Sequence, residues 1–323
     1  MAAGPMMELS NKPTLAPEVL EALREFYEAW GYRTLPAGGT IWFDGGSFSV
    51  MATPTTILPD LNDKEVREVL GKMGRIVAVY GTATNEGTVV PMYTLRDKTY
   101  DLKNLQRQFK QQVNKATQEL ESRECTWEEW QTLGKRCDQE TLQRRGQSLN
   151  PDHPLLSDEG RKKIASIAVK IPNLRIHACF YQNEIAAYLV HLTFGSICEG
   201  LITNRREGAV EPAVKYASHL LYYTFSKEAI SRPEVQMVCV GRQSVPPNET
   251  LARFKAHAGF TNEPYYLSFR MQKYLAPVFE RKLTAKVLQL IRSKLGVKVP
   301  ALGNLEVIER SSLRKAADSQ AAD

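Results

Sequence analysis

Residues 174–203 read LRIHACFY, then a Gln-Asn-Glu turn, then IAAYLVHL and SICEGLIT. Side chains alternate between the two faces of a strand, and here successive positions are apolar on both. The pattern predicts an antiparallel meander with neither face left to water, so the flanking sequence must supply cover. Residues 212–230 provide one layer: Ala213, Ala217, Leu220, Leu221, Thr224 and Phe225 line one side of a helix whose first turn accepts Pro212. A buried strand, VQMVCVGR, follows at 235–242. In NETLARFKAHAGF (248–260), Asn248 is an N-cap, and Pro246 and Pro247 bar an earlier start. Leu251, Phe254 and Ala258 make one apolar stripe, and Gly259 ends the helix. PYYLSFRM (264–271) is a further strand, and 277–295 has the period of an amphipathic helix.

The first half has the same mixture. Periodicity predicts a helix over 16–30 and a hairpin over 40–53 around Asp44-Gly45-Gly46. A capped helix over 62–73 leads to strands at 75–81 and 89–95 joined through a glycine-bearing turn. Residues 102–121 read as helix, and Thr126 with Glu129 forms a capping box for another over 126–145. SLNPDHPLLS (148–157) is the expected boundary, followed by a helix over 157–169. RIVAVY at 75 and RIHACF at 175 form a faint internal echo. A chain of 323 residues suits two units of about 150 each. The expected organisation is 1–150, 151–310 and a polar tail, 311–323.

Hydrophobic residues at 43% and charged ones at 24% are ordinary for a globular chain and argue against extensive disorder. The five cysteines are scattered, with no C-x-x-C pair, which suggests neither a disulfide framework nor a zinc site and points to a reducing cytoplasm. No export signal, membrane span, metal spacing or Walker loop is legible. Net charge is +6, and residues 270–298 hold eight basic side chains against Glu280 alone. That segment is either a solvated helix face or a surface for an anionic partner such as tRNA.

The order over 174–271 (meander, polar loop and helix, buried strand ending Gly241-Arg242, short helix with Phe254-Lys255 closing on Gly259-Phe260, final strand) resembles the GNAT acyltransferase superfamily. It is similar to the tandem arrangement of Fem-type peptidyltransferases and related N-acyltransferases. MYTLRDKTYDLKNLQRQFKQQVNKA (92–116), with Arg107, Lys110 and Lys115, agrees. The resemblance implies an α/β (α+β) protein of two GNAT-like lobes, each a mixed, mostly antiparallel sheet flanked by helices. It also implies an enzyme that moves an acyl group from a coenzyme A thioester to a small-molecule or peptide amine by direct attack. The alternatives are a Fem-like aminoacyl-tRNA-dependent transferase and a degenerate, non-catalytic binding module.

In such folds two parallel strands splay to admit the donor, whose pyrophosphate rests on the next helix N-terminus. The resemblance places the splay between SICEGLIT and VQMVCVGR and the phosphate loop at NRREGAVEP (204–212). Arg205, Arg206 and Gly208 would then hold the donor, assisted by Arg242, Asn248 and Lys255. Val210 stands where the signature has a second Gly or Ala, and Glu207 and Glu211 add negative charge, departures that fit the Fem-like branch. Glu199 is the first candidate base and His191 or His219 a proton relay, with Tyr223 or Tyr222 as the acid. Cys198 and Cys239 read as small hydrophobes.

Overall fold

The computed structural model describes residues 13–45, 48–83, 87–147, 149–209, 211–243 and 247–272. The expected helix over 277–295, the tail 311–323 and most of the basic run 270–298 lie outside the described residues. Arg270, at the start of that run, ion-pairs with Asp63 at 2.6 Å.

Helix α1 (Pro17–Ala29) opens the described chain, then strands β1 (Thr34–Ala37), β2 (Thr40–Asp44) and β3 (Ser49–Thr53). Helix α2 (Asp63–Met73) starts at the capping box of Asn62 and Glu65 and leads to β4 (Val77–Gly81) and β5 (Thr88–Leu95). Next come α3 (Arg107–Ala116), β6 (Glu121–Cys125), α4 (Trp127–Leu133), α5 (Lys135–Arg144) and α6 (Asp158–Ala168). The meander is β7 (Leu174–Tyr181), β8 (Glu184–Phe194) and β9 (Ile197–Arg205). One turn of 3-10 helix, Pro212–Tyr216, precedes α7 (Ala217–Ser231). β10 (Met237–Arg242), α8 (Glu249–His257) and β11 (Thr261–Met271) complete it.

The eleven strands among the described residues join one mixed sheet in the order β1-β2-β3-β4-β11-β5-β10-β9-β8-β7-β6. The two strands at 77–81 and 88–95, close in sequence, are not neighbours: β11, from the far end of the chain, pairs antiparallel with both. On each side of the central β11–β5 pair stands a strand that runs parallel to the last strand of an antiparallel set. β4 lies parallel to β3 after the helix α2, and β10 lies parallel to β9 after α7.

The meander is covered on both faces, as its sequence requires. Tyr188, Val190 and Leu192 of β8 pack with α1, α4 and α6, through Phe26, Trp130 and Ile164. Ala187 and Leu189 of the same strand pack with α3 and α7, through Phe109, Leu221 and Phe225. Fully burying a Val, Leu, Ile or Phe side chain contributes about 1.5–3 kcal/mol, so this double layer holds the register of the meander.

Candidate active site between two strand forks

β9 and β10 pair in parallel over three positions, Met237 with Ile197, Val238 with Cys198 and Cys239 with Glu199. Beyond Glu199, β9 continues to Arg205 paired with β8, while β10 bulges and rejoins β5 at Arg242. The strands therefore fork. β3 and β4 behave alike, pairing over Ser49–Met51 and Val77–Val79 only. Both forks border one cavity of about 850 Å³, lined by Met51 to Thr53 and Val79 to Gly81 on one side and by Glu199 to Thr203 and Arg242 on the other. Tyr27, Tyr32, Phe43, Tyr80 and Tyr265 give it aromatic walls.

Glu199 sits at the β9 fork and is 1% exposed. Its Oε1 accepts from the Thr55 amide at 2.5 Å; its Oε2 accepts from the Thr56 amide at 3.0 Å and the Thr56 hydroxyl at 2.5 Å. Among the described residues no cation pairs with it. Burial raises its pKa above the ordinary carboxylate value, and the threonine hydrogen bonds oppose that rise without cancelling it. The amides and the hydroxyls of Thr55 and Thr56 all bond to the carboxylate and fix its orientation at the cavity wall. A buried, unpaired carboxylate of raised pKa beside a cavity is suited to general-base chemistry.

The surrounding bonds fix the loop that holds it. Tyr265 donates its hydroxyl to the Thr55 carbonyl at 2.7 Å, Thr40 donates to the Thr53 carbonyl at 2.7 Å, and the Tyr27 and Thr53 hydroxyls lie 3.0 Å apart. Arg75, on the cavity wall, is held by Asp44 at 2.8 and 3.0 Å.

The structure brings Glu199 and Arg242 to this cavity and places the other predicted site residues elsewhere. His191 is buried beneath Phe225 of α7, ring centroids 4.9 Å apart, and burial drives its pKa well below the usual histidine value. His219 lies among Phe109, Tyr216 and Phe254, its pKa lowered to about 4 by burial. Tyr223 stacks near Tyr100 and accepts from Lys227 at 3.2 Å; Tyr222 packs against Phe254 and Phe260. Lys255 donates to the Val240 carbonyl at 2.7 Å and lies over the Tyr93 ring, burial lowering its pKa to about 8. Asn248 caps α8 by accepting from the Leu251 amide at 3.0 Å.

The loop at 204–212 is occupied by its own side chains. Arg206 is 2% exposed and faces Glu184 at 3.1 Å, Glu140 at 3.6 Å and Glu211. Glu207 is held by Arg144 at 2.8 Å. The Arg205 carbonyl accepts from Thr141 and Arg144. Gly208 lies so close to Lys215 that a Cβ there would come 2.5 Å from the Lys215 Cα. Val210 lies outside the described residues. Carboxylates thus gather where a pyrophosphate was expected, and Gly208 packs against the last turn before α7.

Sequence reasoning missed Thr55, Thr56 and Tyr265, the partners that hold Glu199 and its loop. Their distances along the chain, 143 to 210 residues, leave no local signal. The sole hint was the run Thr53-Pro54-Thr55-Thr56 directly after a strand, a polar stretch with amides free to bond outward.

No protein-family model and no curated protein matches the chain. Among solved structures, it is similar to the C-terminal domain (DUF2156) of a candidate lysylphosphatidylglycerol synthetase from Agrobacterium fabrum. That likeness has 11% identity and TM-score 0.50 and covers 84% of this chain and 96% of that one. FemX, at 9% identity and TM-score 0.49, and L-PGS from Bacillus licheniformis, at 13% and 0.46, each cover 84% of this chain and 96% of their own. At these identities the likeness is one of fold. Taken with the parallel fork after a meander and helix, it gives the chain a GNAT-like fold.

Proposed function

We propose that the chain is an N-acyltransferase that joins an acyl or aminoacyl group to an amine inside the cavity between the two forks. The observation that carries this reading is the opening of both parallel strand pairs onto one space beside the buried carboxylate of Glu199. In the step envisaged, the amine nitrogen attacks the acyl carbon and forms the new C–N bond. The bond from that carbon to sulfur or oxygen breaks. The proton lost by nitrogen passes to Glu199 and from Glu199 to the departing sulfur or oxygen, so the thiol or hydroxyl leaves protonated and the carboxylate is restored. Base assistance of this kind is worth about 10²–10⁴-fold in rate.

The state of loop 204–212 bears on the donor. Arg206 is already surrounded by carboxylates, and Gly208 packs against Lys215 just ahead of α7. That arrangement favours a donor that seats no pyrophosphate there, such as an aminoacyl ester carried on RNA. The second reading, an acyl-coenzyme A donor, is favoured by the edge of β9 beyond Glu199, which has strand pairing on its β8 side only and suits an inserted pantetheine arm. A thermal-shift panel with free, acetyl- and long-chain acyl-coenzyme A, run beside filter binding of charged and uncharged tRNA, separates the two. We expect no rise in Tm with the thioesters and preferential retention of charged tRNA. A rise with any coenzyme A species restores the thioester donor.

A further inference from the structure

Arg242 ends β10 at the cavity wall, and its position is set by the backbone. Gly241 has φ of 80°, a left-handed conformation that residues with a Cβ rarely adopt, and the β10–β5 register shifts between Cys239 and Arg242. Bulges of this kind re-aim a side chain beside a site. The guanidinium has five N–H donors. Among the described residues it donates to the carbonyl of its neighbour Gln243 at 3.3 Å and to the Met51 sulfur at 3.6 Å, a weak acceptor. Among the described residues no carboxylate lies within ion-pair distance of it, whereas Arg75 on the same wall is held by Asp44. Arg145, also on the wall, donates to the Thr203 carbonyl and the Asn204 side chain, both at 3.4 Å, with no carboxylate at ion-pair distance among the described residues. Guanidinium donors that line the cavity without a carboxylate partner among the described residues are able to take an oxyanion.

We propose that Arg242 is an anion receptor: the substrate that enters the cavity bears a carboxylate or phosphate group that Arg242 grips, beside an apolar body that rests on the aromatic walls. Two parallel N–H···O bonds from a guanidinium match either oxyanion. Tyr265 and Tyr80 supply flat surfaces for the apolar part. The bulge at Gly241 then has a purpose, since it turns the guanidinium away from the sheet and into the cavity. This inference rests on the reading of the cavity as the substrate site. Its test measures binding alone, so a failure here and a failure of acyl transfer are told apart.

The full chain is titrated calorimetrically with phenylacetate, phenyl phosphate and neutral phenylacetamide, using wild type, Arg242→Met and Arg242→Lys. We expect wild type to bind at least one of the anions tenfold or more tightly than phenylacetamide. Arg242→Met should lose that preference, and Arg242→Lys, a charge without the planar fork, should keep only part of it. Preference for phenylacetate assigns the group as a carboxylate, and preference for phenyl phosphate assigns it as a phosphate. Equal binding of phenylacetamide, no binding of any probe, or an anion preference undiminished in both variants overturns the proposal. Melting curves without probe show whether each variant is folded; if Arg242→Met is not, Arg242→Lys decides the question.

Discussion

At the scale of single residues, burial outweighs charge pairing in the titration of the histidines packed against the sheet. His177 is 3% exposed, and burial lowers its pKa to about 4 although Glu228, 3.5 Å away, pulls the other way. Its folded value lies below the unfolded one near 6.5, so its contribution to stability is complete above pH 6.5 and is lost as pH falls through 4. Wild type should therefore lose about 3 kcal/mol between pH 7 and pH 4 through this residue. Urea unfolding of wild type and His177→Asn across that range checks it: the variant should show the shallower decline, and parallel curves would contradict the assignment. Glu199 was legible as a polar residue inside an otherwise apolar strand. His191 shared that feature, His219 stood on the helix that follows, and both are packed away from the cavity. Sequence alone cannot tell which face of a doubly covered sheet meets a cavity, because both faces read as apolar.

At the scale of elements, helix caps and the meander were readable because their physics is local. Asn62 and Thr126 form the capping boxes their spacing announces, and β7 to β9 pair as the apolar alternation requires. Other features were not local. β6, reading Glu-Ser-Arg-Glu-Cys, has little strand character of its own and is a strand because it pairs along β7. The helix expected over 126–145 is broken at Gly134 into α4 and α5, where a Cβ would press on the Trp130 carbonyl at 2.8 Å. A buried ion pair then ties α5 to α6: Arg161 donates to Asp138 at 2.5 Å and to the Leu155 carbonyl at 2.9 Å. Asn204 of β9 donates to the same carboxylate at 2.7 Å. Asp138→Ala strands the Arg161 charge at zero exposure and should cost about 3–5 kcal/mol in urea unfolding. A loss under about 1 kcal/mol would show that water or a rearranged partner replaces the carboxylate.

For the whole molecule, the sheet order explains why the chain works as one body around the cavity. β5 belongs to the first half of the sequence and β11 to the end of the described second half, yet they pair with one another over seven positions at the centre. The echo between 75–80 and 175–180 falls on a central parallel strand, β4, and a meander strand near the sheet edge, β7, places that are not equivalent in the order. Residues 1–150 alone would expose both sides of β5 and leave β4 without β11, so that fragment should show neither cooperative unfolding nor native amide dispersion, whereas a sharp transition would mean the first half carries its own core. The central claim concerns Glu199 and the forks beside it. It is met most directly by mass-spectrometric measurement of amide formation from aminoacyl-tRNA and acyl-coenzyme A donors with a panel of amines, comparing wild type with Glu199→Gln below the melting temperature of both. The account predicts turnover by wild type that rises as pH passes the raised pKa of Glu199, and a loss of at least about 100-fold in the variant; equal rates for the two proteins, or no amide product from any donor, would contradict it.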